Sequence, residues 1–488
     1  MTFPLVTAVG GFAALYKYNN REGHPPQSVL LWVLLLSAVY VLCCDYRGFS
    51  KAFRAPIAVF LTAGSMLVLW AALKRRAVVV WAPFLLLGAL GAAAVPPAKF
   101  NYAYLWPIGK PVTVAAKVDE ALNYTNALLE QLAALPSPAE KPSTSGFVAP
   151  DSGVVVVFHL GESLRADRMS INGYVRDTTP WLRQCPDVVN FPYCVSAAFS
   201  TCDAQPVILT NARRCLVGGE RDMQPTTGSV FELFAKHGFP VYSFFWARRS
   251  LEVRFHKVVE MLARISVDKF YADGLPLSSL PKMKHVLESN PGQNLLLYIN
   301  NEGSHVPFQF FDRETAPFAP WAKDFSSPAA QAQEVNNAYD ATVHYTDKFF
   351  REVAEMLKGR PFVYFYVSDH GEVLGDDGKW GRGAFGEDNA LYHKSPACLV
   401  GMFVMASPEF CRLHPHFAEA VRQLRAHANL VVGHEHVFHT LLGLIGIRTP
   451  YYDATLDLCS PEVRPYAGPR PAICPPAEAE NARDVGKS

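Results

Sequence analysis

The sequence predicts an α/β protein: transmembrane helices at the amino end, followed by a mostly parallel sheet covered by helices on both faces. Three observations predict it. Three long apolar segments without a single charge lie before Pro96. Beyond them, unbroken apolar and β-branched runs such as Val154–Leu160 and Phe362–Val367 match strands buried on both faces. Between those runs apolar residues recur at helical spacing, and strand alternating with helix is the pattern of a parallel sheet.

The apolar segments are Ser28–Cys44, Pro56–Leu73 and Ala77–Val95. Each approaches the roughly 20 residues a helix needs to cross a bilayer, so residues 1–96 read as a region of three spanning helices. Met1–Tyr16 is apolar but short, contains Gly10 and Gly11, and lacks a small-residue cleavage site after a basic start. It reads as an interfacial segment and not as a signal peptide. Lys74, Arg75 and Arg76, with Lys17 and Arg21, favour the cytoplasm for their ends of the helices and place everything after Val95 outside. Arg47, Lys51 and Arg54 pull the other way.

Residues 97–150 read as an interfacial stretch and linker. Phe100, Tyr102, Tyr104 and Trp106 suit a membrane interface, Thr113–Leu135 has the spacing of an amphipathic helix, and Pro136–Pro150 has linker composition. The soluble domain occupies 151–488. Its expected elements are strands at Val154–Leu160, Val241–Trp246, Asn294–Asn300, Phe362–Val367 and Val400–Met405, with helices at Val230–His237 and Ala338–Leu357.

With 45 basic and 44 acidic residues the net charge is +1, which leaves no basic excess to neutralise a phosphate backbone and argues against a nucleic-acid partner. The soluble part carries Cys185, Cys194, Cys202, Cys215, Cys398, Cys411, Cys459 and Cys474, an even set that suits disulfides in an oxidising compartment. Local bridges such as Cys185 with Cys194 and Cys398 with Cys411 are expected.

Chemistry concentrates where buried strands end. Glu162 follows Gly161 at the carboxyl end of the first strand, the edge where open α/β sheets place ligands. Asp369 and His370 end the strand at Phe362–Val367 in the same way, and His305 follows the strand ending at Asn300.

The block GESLRADRMSINGY, then RDTTPWL, then SDHGE much later, resembles the alkaline phosphatase and sulfatase superfamily. Within it the similarity is to the membrane-bound lipid phosphoethanolamine transferases. The resemblance implies that Thr201, in FSTCDAQP and five residues before Pro206, is the nucleophile; Cys202 and Ser200 are the alternatives in that segment. A threonine hydroxyl is a poor nucleophile near neutral pH and needs a metal or a base beside it. Glu162, Asp369, His370 and the Thr201 oxygen make a four-ligand set suited to one tightly bound Zn²⁺. The histidine in GSHVP, His305, corresponds to one that faces the transferred group, and it either protonates the leaving alkoxide or helps hold a second metal ion.

Two departures stand out. The relatives carry another histidine near Arg382, and an arginine grips phosphate but is no neutral metal ligand; His393 is expected to take the missing role. Arg248 and Arg249, in WARR, replace polar residues and suit an anionic partner. His434, His436 and His439 read as helix residues and not as a metal cluster.

The resemblance implies an enzyme of the bacterial inner membrane with its catalytic domain in the periplasm. Its donor would be phosphatidylethanolamine, and its acceptor lipid A, a lipopolysaccharide core sugar or another envelope glycan. A phosphoglycerol transferase, a phosphate or sulfate ester hydrolase, and a catalytically silent membrane scaffold are the alternatives.

Overall fold

Seven strands build the central sheet: β1 (Val155–Gly161), β2 (Val188–Asn190), β3 (Val241–Trp246), β4 (Asp268–Ala272), β5 (Leu295–Asn300), β6 (Phe362–Ser368) and β7 (Met402–Ala406). In this computed structural model the described residues are 152–212, 214–215, 222–223, 229–246, 265–272, 275–322, 325, 327–381 and 389–475. The three expected membrane segments, the interfacial stretch and the linker lie outside them, as do Arg248, Arg249 and Arg382. Among the described residues no helix is long and apolar enough to cross a membrane.

The spatial order is β2-β7-β6-β1-β5-β3-β4. β1 sits between β5 and β6 and runs parallel to both, with Val155 opposite Leu295 on one side and Phe362 on the other. β3 and β4 extend the parallel arrangement, whereas β7 runs antiparallel to β6 and to β2. The mostly parallel sheet expected from the strand–helix alternation is therefore present. It places the carboxyl ends of β1, β5 and β6 side by side.

Both faces of β1 are covered, which is why its sequence is apolar at consecutive positions. Val156, Phe158 and Leu160 pack with helices α1 (Thr201–Leu209), α2 (Val230–Lys236) and α5 (Glu435–Leu444), while Val155 and Val157 face α3 (Leu280–Ser289) and α4 (Ala332–Met356). Each such side chain contributes roughly 1.5–3 kcal/mol on burial. A strand slipped by one residue would exchange the two layers, so the register is firmly set.

Several boundaries differ from expectation for physical reasons. α4 begins at Ala332, earlier than Ala338, because Val335 joins the apolar stripe. The strand expected at Val400–Met405 is broken at Gly401, where a side chain would collide with Leu164 and Met169 and whose N–H bonds Leu164 O at 2.9 Å. Leu399 and Val400 instead pair with Cys194 and Val195. α1 is not expected from sequence, since Pro206 stands inside it; Ser200 caps it, accepting a hydrogen bond from the Asp203 N–H. α5 is buried along almost its whole length.

The expectation of local bridges is corrected: Cys185, Cys194, Cys398 and Cys411 are free, as is Cys459. Cys185 packs in the layer beside α4, with its sulfur 3.7 Å from Met405 Sδ, while Cys194 belongs to the opposite layer. Cys398 lies in a third cluster, its thiol 3.5 Å from His393 O, and Cys411 packs against the first. Neighbours in sequence are thus separated by the layers of the fold.

One polar residue interrupts the β1 run. His159 is fully buried, its Nδ1 2.8 Å from Tyr364 Oη and its ring edge-on to Phe349, Phe350 and Tyr366. Burial pushes its pKa down to about 3. Between that value and the ordinary 6.5 the unfolded chain takes up a proton that the folded one refuses, so this residue makes stability fall as pH drops from 6.5 towards 3. We predict that His159→Phe flattens this acid limb by a few kcal/mol. Denaturant titrations of both proteins at pH 7 and pH 4.5 measure it, and parallel losses would contradict it.

Candidate metal centre

β1 and β6 each end in a polar turn, and α1 begins opposite them. Glu162, Asp369 and His370 are buried there, and Thr201 is the first residue of α1. Thr201 Oγ1 donates to Glu162 Oε2 at 3.1 Å and lies 3.1 Å from His370 Nε2. His370 Nε2 is in turn 3.2 Å from Glu162 Oε1 and 3.4 Å from Asp369 Oδ2. The three side chains predicted as metal ligands and the predicted nucleophile therefore come together. Of the alternatives to Thr201, Ser200 spends its hydroxyl on Asp203 in capping the helix.

These spacings can be tested against an ion. Tetrahedral zinc with bonds of about 2.0–2.2 Å has ligand–ligand edges of about 3.3–3.6 Å. The separations above, two of them to different Glu162 oxygens, fall within or just under that range.

Protonation agrees. His370 Nδ1 is 2.9 Å from Gly371 O, which places the ring proton on Nδ1 and leaves the Nε2 lone pair facing the carboxylates. Asp369 Oδ1 accepts from the Ser163 and His370 amides at 3.1 and 2.8 Å, while buried Oδ2 has no hydrogen bond of good geometry. Burial first, and the Glu162 charge second, push the Asp369 carboxyl up to about 7. Two adjacent buried carboxylates with an outward-facing oxygen and an open imidazole nitrogen are the environment a divalent cation relieves.

Residues around the centre hold it by their lack of bulk or by ion pairing. A methyl group at Gly161 would overlap the Tyr366 ring, and one at Gly371 would overlap Ala397 O, so the glycines flanking Glu162 and His370 cannot carry side chains. Buried Arg165 bridges Asp167 and Asp376, each at 2.7 Å, and donates to Glu372 O, tying the β1 turn to the chain just past His370. Asp340, fully buried on α4, pairs with Arg168 at 2.6 Å and Arg176 at 2.8 Å and accepts from Tyr174 at 2.9 Å. Tyr339 donates to Ser163 O at 2.6 Å. Thus most of the RAD and NGYVR residues are struts for Glu162 and not reacting groups. Asp340 and Tyr339 were invisible in sequence, since nothing local marks a helix residue that answers an arginine 172 positions away.

The remaining candidates lie apart from the four-donor set. His305 is half-buried on the turn after β5, its Nδ1 2.6 Å from Val306 O; the turn is tied to the centre by Ser304 N–H donating to Glu162 O at 3.0 Å. His393 is buried with Nε2 3.0 Å from Ser196 O. His436 lies 2.9 Å from Arg464 O and His439 accepts from the Asp453 N–H at 3.1 Å, so both serve backbone groups, as expected of helix residues.

Known proteins share this arrangement of elements. The chain is 26% identical over 472 residues to the Kdo(2)-lipid A phosphoethanolamine 7''-transferase of Escherichia coli K12, covering 86% of this chain and 74% of that protein. It is 27% identical over 250 residues to phosphatidylethanolamine transferase Mcr-1 of Escherichia coli, covering 47% of this chain and 44% of Mcr-1. Among solved structures, the C-terminal periplasmic domain of Escherichia coli EptC in complex with Zn matches with a TM-score of 0.55 at 21% identity, over 68% of this chain and 92% of that one. The integral membrane protein EptA of Neisseria meningitidis matches with a TM-score of 0.56 at 20% identity, over 88% and 77% of the two chains. The sequence family described as Sulfatase matches residues 154–447, from the start of β1 through the end of α5. That span contains the four donors and more than half of the chain, which therefore belongs to the Sulfatase family.

Proposed function

We propose that this chain is a membrane-bound, metal-dependent phosphoethanolamine transferase of the bacterial inner membrane, working in the periplasm through a phosphothreonine at Thr201. The donor is phosphatidylethanolamine and the acceptor is lipid A, lipopolysaccharide core or another envelope glycan. The observation that carries the proposal is Thr201 Oγ1 lying 3.1 Å from both Glu162 Oε2 and His370 Nε2. The names of the relatives support the transferase chemistry, and the apolar segments before Pro96 support a membrane-borne lipid donor.

Glu162, Asp369, His370 and Thr201 would hold one zinc ion, which when bound supplies Lewis acidity and offsets negative charge at the reacting centre. The remaining steps belong to side chains. Glu162 Oε2 accepts the Thr201 hydrogen bond and fixes the hydroxyl's direction. Thr201 stands at the amino end of a nine-residue helix, whose positive end favours a developing oxyanion. As the bond from Thr201 Oγ1 to phosphorus forms, the phosphorus–oxygen bond to diacylglycerol breaks, the threonine proton passes to Glu162 and His305 protonates the departing alkoxide. An acceptor hydroxyl or phosphate oxygen then bonds to phosphorus as the bond to Thr201 Oγ1 breaks; His305 takes up the acceptor's proton where there is one, and Glu162 returns its proton to Thr201 Oγ1. Arg248, Arg249 and Arg382 are proposed to bind the anionic substrates, and His393 to support the Thr201 segment. Should a second metal ion take part, His305 is the residue proposed to receive it.

Three outcomes are expected. Mass spectra of envelope lipids and glycans from cells with the gene should show phosphoethanolamine adducts that are missing without it; phosphoglycerol adducts, or no change, would contradict the donor. Thr201→Ala should lower transfer at least ~1000-fold with an unchanged melting temperature, because the covalent route is lost; retained transfer would move the nucleophile elsewhere. Chelation should remove both zinc and phosphothreonine formation, and re-adding zinc should restore them. Full activity in metal-free protein would contradict the proposed centre.

A further inference from the structure

α5 begins beside the centre, and its capping residue His434 is fully buried. Its Nδ1 accepts the Ala197 N–H at 3.1 Å, and its Nε2 lies 3.0 Å from Ser368 O. Both contacts are met by one tautomer only, with the proton on Nε2 donated to the carbonyl and Nδ1 left as acceptor. Ala197 lies on the segment leading into α1 and Thr201; Ser368 is the last residue of β6, directly before Asp369. One imidazole therefore spans the nucleophile's segment and the metal-binding strand.

Two further contacts run in parallel. Ser196 Oγ lies 2.8 Å from Asp369 O and 2.6 Å from Ala198 O, its one proton shared between the two carbonyls, and His393 Nε2 donates to Ser196 O at 3.0 Å. The residues just before Thr201 are thus fastened to the Asp369 turn by Ser196 and His434, and His393 holds the same segment from another part of the chain. Core packing alone would not require a histidine here: an apolar residue of similar size would fill the space and lose the bonds to the Ala197 N–H and the Ser368 carbonyl.

We infer that His434 is a positioning residue that sets the distance of Thr201 from Glu162 and His370 by bridging the Ala197 amide and the Ser368 carbonyl. The inference rests on the proposed role of Thr201. It assigns His434 no contact with substrate. Its effect belongs in the rate of phosphoryl transfer and not in substrate binding, since a displacement of about 1 Å at a reacting atom costs on the order of 100-fold.

The test compares full-length wild type, His434→Phe and His434→Asn in detergent. The Phe variant keeps the bulk and loses both contacts; the Asn variant keeps an acceptor for Ala197. Backbone hydrogen exchange over residues 196–201, zinc content, and kcat and KM with phosphatidylethanolamine in mixed micelles are measured on each. In the Phe variant the segment should exchange at least ~10-fold faster and kcat should fall on the order of 100-fold, with KM and zinc content near wild type. The Asn variant should recover most of the protection and part of kcat. Wild-type exchange and kcat in the Phe variant would overturn the inference, as would a rise in KM alone. Where the Phe variant does not accumulate, His434→Gln, which reaches Ser368 but offers Ala197 no acceptor, is measured with the same two outcomes. Wild type that forms no phosphothreonine would overturn the proposed function, and the exchange measurement would still decide the role of His434.

Discussion

Two carboxylates and an imidazole are buried at one edge of a parallel sheet, and the rest of the domain is arranged to keep them there. Glu162 and Asp369 are 8% and 1% exposed, too dry for both to carry charge without a counterion. Their side chains do not turn apart. Asp369 spends one oxygen on two backbone amides and leaves the other facing His370 Nε2, which faces Glu162 and Thr201 in turn. An arrangement that costs free energy when empty and gains it when a cation enters fits a cation site by its electrostatics.

Holding that edge together occupies most of the residues that make the sequence distinctive. Arg165 joins the turn after β1 to the chain beyond His370, while Arg168, Arg176 and Tyr174 fasten the next loop to Asp340 on α4. Removing one member of such a buried network leaves the others charged and unpaired, so a substitution at these positions is expected to destabilise the loop. Thr201 is held by the same logic from the opposite side, through Ser196, His393 and His434. Glu162 directly follows β1, Asp369 and His370 directly follow β6, and Thr201 opens α1, so the ends of rigid elements determine their separation.

The strands were legible because burial on both faces leaves a local mark, an apolar run with no alternation, in β1 and β6 alike. Glu162, Asp369 and His370 were legible because they follow those runs directly. α1 was not, since Pro206 argues against a helix while the Ser200 cap and packing against the sheet overrule it. The disulfides were misjudged because proximity in sequence says nothing about which layer a strand or helix joins; Cys185 and Cys194 fall on opposite sides of the sheet. Asp340 left no signal at all, because it acts on groups brought near only by the fold. His434 was read as a helix residue and not as a metal ligand, and its task of serving two backbone groups was not legible.

The central claim is that four donors converge on a single zinc ion with the Thr201 oxygen among them. Diffraction from zinc-loaded protein, measured on both sides of the zinc absorption edge, tests it most directly. The account predicts one anomalous peak within about 2.0–2.2 Å of oxygens from Glu162, Thr201 and Asp369 and of His370 Nε2. A peak held by other residues, or one that leaves Thr201 Oγ1 outside bonding distance, would contradict it.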